Sequence, residues 1–149
     1  MNEILNMNIN DMPNVKFECS CGRTHHFDVH ALSIGQDAIK DICRMAEPFR
    51  ESKILVVFDN NTYKVAGKEV VELLKQADFN IKELMIDCGD DILIPDEKTL
   101  GRILQEQDLD VGLIIAVGGG VINDSVKFVT SRTKLPYIVV ATAPSMDGY

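Results

Sequence analysis

The sequence predicts an α/β fold: a Rossmann-like, doubly wound, mostly parallel sheet preceded by an amino-terminal β-hairpin. Three observations carry this expectation. Unbroken apolar runs at Ile54-Leu55-Val56-Val57-Phe58 and Leu113-Ile114-Ile115-Ala116-Val117 show the pattern of strands buried on both faces, and Tyr137-Ile138-Val139-Val140-Ala141 is a further apolar run. Segments of helical periodicity separate them, and strands alternating with helices of this length form parallel sheets with right-handed crossovers. The middle run leads through Gly118-Gly119-Gly120 directly into a helix-like pattern.

Residues 1–14 are polar and Asn-rich and read as a loosely ordered start; residues 15–149 read as one nucleotide-binding domain. Val15-Lys16-Phe17-Glu18-Cys19 and Phe27-Asp28-Val29 alternate apolar and polar around the Gly22 turn, which predicts the hairpin. From Gly35 the period becomes helical, with Ala38, Ile39, Ile42, Met45, Ala46 and Phe49 on one face and Pro48 as terminator. The run at 54–58 closes on Asp59-Asn60-Asn61. The next helix carries Val65, Val70, Val71 and Leu74, with Gly67 as its weak spot. Ile81 to Cys88 is a second strand. Pro95-Asp96-Glu97 opens a helix, since proline suits the first turn and acids suit the dipole, and Leu100, Ile103 and Leu104 form its buried face. The glycine strand, a helix bearing Val126 and Val129, and the last strand complete the pattern.

Composition bounds the function. The 149 residues suffice for one domain that buries about two thirds of its unfolded surface. A net charge of −8 argues against nucleic acid and anionic membranes, so a phosphate ligand has to be held by backbone N–H groups rather than by a basic field. No apolar segment approaches the roughly 20 residues that span a bilayer, and no signal peptide is visible. The cysteines are Cys19, Cys21, Cys43 and Cys88. Two fall in predicted buried elements and the i, i+2 pair is badly placed for a disulfide, which fits a reducing cytoplasm.

Ligands of doubly wound sheets bind outside the carboxyl ends of the strands. Three such ends are chemically distinctive: Asp59, Gly118-Gly119-Gly120, and Thr142-Ala143-Pro144-Ser145-Met146-Asp147. Glycines without Cβ atoms let a ligand lie against the backbone and permit positive φ, and a following helix aims free N–H groups and a positive dipole end at the same place. Together they suggest a phosphate cradle; the competing reading is a glycine-rich tight turn. Asp59 reads either as an acceptor for ribose hydroxyls or as a helix N-cap. With no basic residue before Lys64, it would repel a 2′-phosphate, favouring NAD over NADP. The ordinary dinucleotide fingerprint fails, because Asn123 stands in the third glycine's place and the acid precedes the glycines; a Walker A motif fails for lack of Gly-Lys-Ser/Thr.

Asp59 after a first strand, then Gly118-Gly119-Gly120-x-x-x-Asp124-x-x-Lys127, then Thr142-Ala143-Pro144-Ser145-Met146-Asp147-Gly148, resembles the amino-terminal half of the glycerol-1-phosphate dehydrogenase family. That family belongs with the iron-type alcohol dehydrogenases, glycerol dehydrogenases and dehydroquinate synthases. Cys19-x-Cys21-Gly22-x-x-His25 resembles its bacterial branch. The resemblance runs from about Val15 and implies a dehydroquinate synthase-like amino-terminal domain. It implies that Asp59 meets the adenosine ribose and that Gly118, Gly119, Gly120, Val121 and Ile122 wrap the pyrophosphate. Asp124 would sit near the nicotinamide carboxamide, Thr142, Ala143, Pro144 and Ser145 would line the cofactor cleft, and Asp147 would touch the polyol substrate. Val121 replaces the Ser or Thr often found after the glycines, which removes one phosphate hydrogen bond.

In the family a second, helical domain follows and carries the divalent metal ligands (Zn, Ni or Fe), one Asp and two His. None of the histidines here falls at those positions, so no catalytic set is complete and no metal ligand is assigned. The implied partners are NAD, a polyol phosphate and further copies of the chain. Glycerol dehydrogenase, dehydroquinate synthase and a non-catalytic nucleotide-binding module are the rival readings. Cys19, Cys21, His25 and His26 invite a metal reading, but Cys-x-Cys is not the Cys-x-x-Cys of structural zinc sites and no second pair exists; hairpin alternation would put Cys19 and Cys21 on one face, and the competing reading is that both are core residues. His30 reads as a surface residue, and Ser145 lacks a Gly-x-Ser-x-Gly elbow. Asp90-Asp91, Asp108 and Asp110 read as solvated loop or cap residues. Lys127 reads as an ion-pair partner of Asp124.

Overall fold

The computed structural model describes residues 6–26, 29–87, 89 and 93–144. They fall in two compact units, Met1–Ala38 and Ile39–Tyr149. The first contains a 3-10 turn at Ile9–Asp11 and an antiparallel hairpin of β1 (Lys16–Glu18) and β2 (Thr24–His26), paired Lys16 to His26 and Phe17 to His25. The described second strand is Thr24–His26; Phe27 and Asp28 of the expected Phe27-Asp28-Val29 run lie outside the described residues. Gly22, at φ +79°, closes the turn tightly enough for pairing to resume at once, and its N–H donates to the Cys19 carbonyl.

The second unit is the parallel sheet. Its strands are β3 (Lys53–Asp59), β4 (Ile81–Ile86), β5 (Val111–Gly118) and β6 (Tyr137–Ala141), all parallel, in the spatial order β4-β3-β5-β6. Alternate residues of the central strands feed two cores. Ile54, Val56 and Phe58 join Leu113, Ile115 and Val117 on one face; Leu55 and Val57 join Ile114 and Ala116 on the other. Burial on both faces is why these strands read as continuous apolar runs.

The helices cover those faces. α1 (Ile42–Ala46) is shorter than its periodic segment, flanked by 3-10 turns at Ala38–Asp41 and Glu47–Phe49. Positive φ at Gly35 and Asp37 delays its start, and Pro48 denies it a donor. After Asp59 the helix runs as α2 (Asn60–Thr62), a π turn (Tyr63–Gly67) and α3 (Lys68–Gln76). The π turn changes the helical phase. Val65, expected inside, is 70% exposed, while Ala66, Gly67, Val70, Val71 and Leu74 are buried. Gly67 is therefore a packing position, since a Cβ there would lie 3.1 Å from Tyr63 and 3.3 Å from Phe58. α4 (Glu97–Glu106) starts on Asp96, whose carboxylate accepts from the Thr99 N–H at 2.9 Å. Ile103 is buried as expected; Leu104 is not, at 48% exposure. α5 (Gly120–Thr133) packs Ile122, Val126 and Val129 onto the second core.

Asp59 is an N-cap. Its Oδ1 accepts from the N–H groups of Asn61 and Thr62, both at 2.8 Å, and the Thr62 hydroxyl accepts from the Asp59 N–H in return. At the opposite, amino edge of the sheet, Lys53 pairs with Asp108 and Asp110, and Lys82 pairs with Asp108 and Glu106. Asp108 and Asp110 are exposed loop residues, as expected, and their ion pairs also tie strand starts together.

Two outcomes follow. Asp59→Ala should lower stability by about 1 kcal/mol, the usual cost of a lost cap, whereas Asp59→Asn should stay near the parent; denaturant unfolding measures both. Hydrogen bonds from Lys82 first and Lys53 second hold the Asp108 carboxyl below its ordinary range. Its contribution is present above the unfolded-state value of about 4 and is lost as pH falls through the lowered folded value. Asp108→Asn should therefore lose less melting temperature than the parent between about pH 7 and about pH 3.

Candidate nucleotide-binding site

The chain passes from β3 outward to β4, then back across β3 to β5. The order reverses between β3 and β5, and a crevice opens at the carboxyl ends of strands where this happens. Val57 pairs with Ala116, so Asp59 and Gly118, each two residues further on, end the two strands side by side.

Gly118, Gly119 and Gly120 do three different jobs, and none of them uses a positive φ. Gly118 is the last residue of β5 and is buried. A Cβ on it would lie 2.6 Å from the Ile122 Cβ, so the strand enters the helix in contact with it. Gly119 is the extended N-cap, at φ −85° and ψ −159°, and contributes no capping side chain. Gly120 is the first helical residue. The first intrahelical bond of the segment runs from the Asn123 N–H to the Gly119 carbonyl at 3.1 Å. The N–H groups of Gly120, Val121 and Ile122 precede it and have no partner within the helix, so they and the positive dipole end face the crevice mouth. Ile122 is buried beneath Gly118, so only its backbone can meet a ligand.

The far side begins at β6. The Thr142 N–H donates to the Gly118 carbonyl at 3.2 Å, which ties the end of β6 to the glycine turn. A Cβ on Gly119 would stand 3.6 Å from the Ala143 Cβ, so Thr142, Ala143 and the exposed Pro144 flank the cap. Ser145 and Asp147 lie outside the described residues, as do Cys88 and Asp90-Asp91. Asp124 is exposed on α5, past the bare first turn. Burial first and the Asp124 charge second push the Tyr137 phenol above its ordinary range.

Sequence reasoning missed a polar rim beside Asp59. The Asp87 Oδ1, just past β4, accepts from the Asn60 Nδ2 at 2.7 Å and from the Gly89 N–H at 2.8 Å. Those bonds, the Gly89 one foremost, hold its carboxyl below the ordinary range. Its position immediately after an apolar strand was the available signal. Since both cap bonds of Asp59 use Oδ1, the cap and ribose readings are compatible: Oδ2 stays outside the cap. The site thus presents backbone donors for a phosphate and a carboxylate for hydroxyls, features that fit a dinucleotide.

The family model for iron-containing alcohol dehydrogenase matches residues 33–149. A glycerol-1-phosphate dehydrogenase [NAD(P)+] of Bacillus licheniformis is 33% identical over 135 residues, covering 88% of this chain and 33% of that protein. One from Thermoplasma acidophilum is 34% identical over 130 residues, covering 85% and 34% respectively. The chain thus spans about a third of the length of these relatives. Among solved structures, glycerol dehydrogenase from Schizosaccharomyces pombe superposes with a TM-score of 0.61 at 23% identity, covering 74% of this chain and 27% of that one. A 2-deoxy-scyllo-inosose synthase does so with a TM-score of 0.57 at 14% identity, covering 80% and 33%. Both share the fold. With a bare glycine-capped helix at the switch point and a match over most of its length, the chain belongs to the iron-containing alcohol dehydrogenase family.

Proposed function

We propose that the chain is the NAD(H)-binding half of a metal-dependent polyol phosphate dehydrogenase of the glycerol-1-phosphate type. The observation that carries this is the uncapped start of α5 at the β3/β5 switch point, next to Asp59, in a chain of this family. The Gly120, Val121 and Ile122 N–H groups would hold the pyrophosphate, and Asp59 Oδ2 would accept from the adenosine ribose. Thr142 to Ser145 would line the cleft, Asp124 would sit near the carboxamide, and Asp147 would meet the polyol. NAD held there would supply the hydride acceptor for oxidation of a secondary alcohol to a ketone. This chain's residues bind and orient for that step.

The described residues around the crevice do not form a donor set for a divalent ion, so no step through a metal is assigned to them. The preference for NAD rests on Asp59, whose charge opposes a 2′-phosphate. The relatives' printed name covers both nucleotides.

Calorimetry should detect NAD binding at least about tenfold tighter than NADP binding, a difference of about 1.4 kcal/mol. NADH oxidation with dihydroxyacetone phosphate and added zinc or nickel should not exceed the protein-free rate. Failure to bind NAD would remove the nucleotide reading, and turnover by these 149 residues would remove the half-enzyme reading. Gly119→Ala separates binding from folding. Its new methyl makes an ordinary contact with Ala143, so the melting temperature should hold while NAD affinity falls by about tenfold.

A further inference from the structure

The hairpin unit poses a physical problem. No described residue from Asn6 to Ala38 is buried, and the paired strands are three residues each. A two-stranded ribbon of that size is marginal in water without a staple. The hairpin also gathers unexpected chemistry. Cys19 follows β1, Cys21 lies in the turn and His25 is the middle residue of β2, and their ligand atoms all lie within 4.8 Å of one another. The Cys21 Sγ is 3.2 Å from the His25 Nε2. The expectation that both cysteines are core residues is overturned: Cys21 is exposed and Cys19 only half-buried.

We propose that Cys19, Cys21 and His25 form a zinc-binding site that staples this hairpin. The donors are two thiols and an imidazole, the set that suits zinc among the common divalent ions. A tetrahedral zinc with bonds of about 2.3 Å to sulfur and 2.0 Å to nitrogen needs donor separations of roughly 3.5–3.8 Å, within small side-chain adjustments of those observed. Sequence spacing groups these residues but does not display that strand pairing brings His25 across the hairpin to the two cysteines.

The backbone holds the donors in place. The Cys19 N–H donates to the Arg23 carbonyl at 2.9 Å, and the Gly22 N–H to the Cys19 carbonyl at 3.0 Å. Phe17, the cross-strand partner of His25, stacks on its ring with centroids 5.3 Å apart and sets its orientation. A metal takes such thiols as thiolates, releasing their protons when it binds. Two thiolates neutralise the dication, and the fourth position is left to water or an added ligand. His26, the partner of Lys16, is not one of the three donors.

The test uses the full chain, reduced and metal-free. Zinc should bind one ion per chain in competition with a chromophoric chelator, and cobalt(II) should give a thiolate-to-cobalt charge-transfer band. Cys21→Ser and His25→Asn should each weaken zinc binding at least about tenfold and bleach the band, while His26→Asn leaves both unchanged. Far-UV dichroism checks that the variants keep the folded sheet. Absence of zinc binding overturns the proposal, as does binding that survives the Cys21→Ser/His25→Asn double variant or is lost equally in His26→Asn.

Discussion

The structure depends on the contact between Gly118 and Ile122. There is no room for a Cβ at the end of β5, because the Ile122 side chain occupies its place. That contact lets the strand become a helix through a single extended residue, Gly119, and seats α5 against the core through Ile122, Val126 and Val129. A longer connection would move the helix start away from the crevice and leave room for a capping side chain. The close approach is thus at once a packing contact and the reason that the first-turn N–H groups face a ligand rather than a side chain.

The two edges of the sheet have different chemistry. The amino edge is held by lysines: Lys53 and Lys82 bind the acids that precede β5 and end α4. The carboxyl edge is built from backbone and carboxylates: Asp59, Asp87, the glycine turn and the Thr142 N–H. Exposed ion pairs contribute little individually, but a network joining two strand starts holds the register from which the carboxyl ends are measured. Val57 beside Ala116, near the carboxyl end of that register, puts Asp59 beside the glycines.

Much of this was legible in the sequence, for identifiable reasons. The strands were readable because burial on both faces leaves an unbroken apolar run, as at Leu113 to Val117. The Asp96 start of α4 was readable because proline and acids mark it. Val65 and Leu104 were misread. The π turn shifts the phase that a fixed period of 3.6 assumes, and Leu104 lies outside the stripe that Ile103 buries. The glycines were found for the wrong conformational reason: the space beside Ile122 demands Gly118, not a positive φ. The closeness of Cys19, Cys21 and His25 was not legible, because strand pairing, which sequence spacing does not display, brings His25 across to the turn.

A cradle made of N–H groups on a chain of net charge −8 has a kinetic consequence. The short-range field at the start of α5 attracts a phosphate, but the field of the whole chain repels an anion at distance. Raising ionic strength to about 0.15 M shortens the screening length to about 8 Å, which suppresses the long-range repulsion more than the contact at the helix end. Association of an anionic nucleotide should then quicken as salt is added, the reverse of what a lysine-lined phosphate site displays.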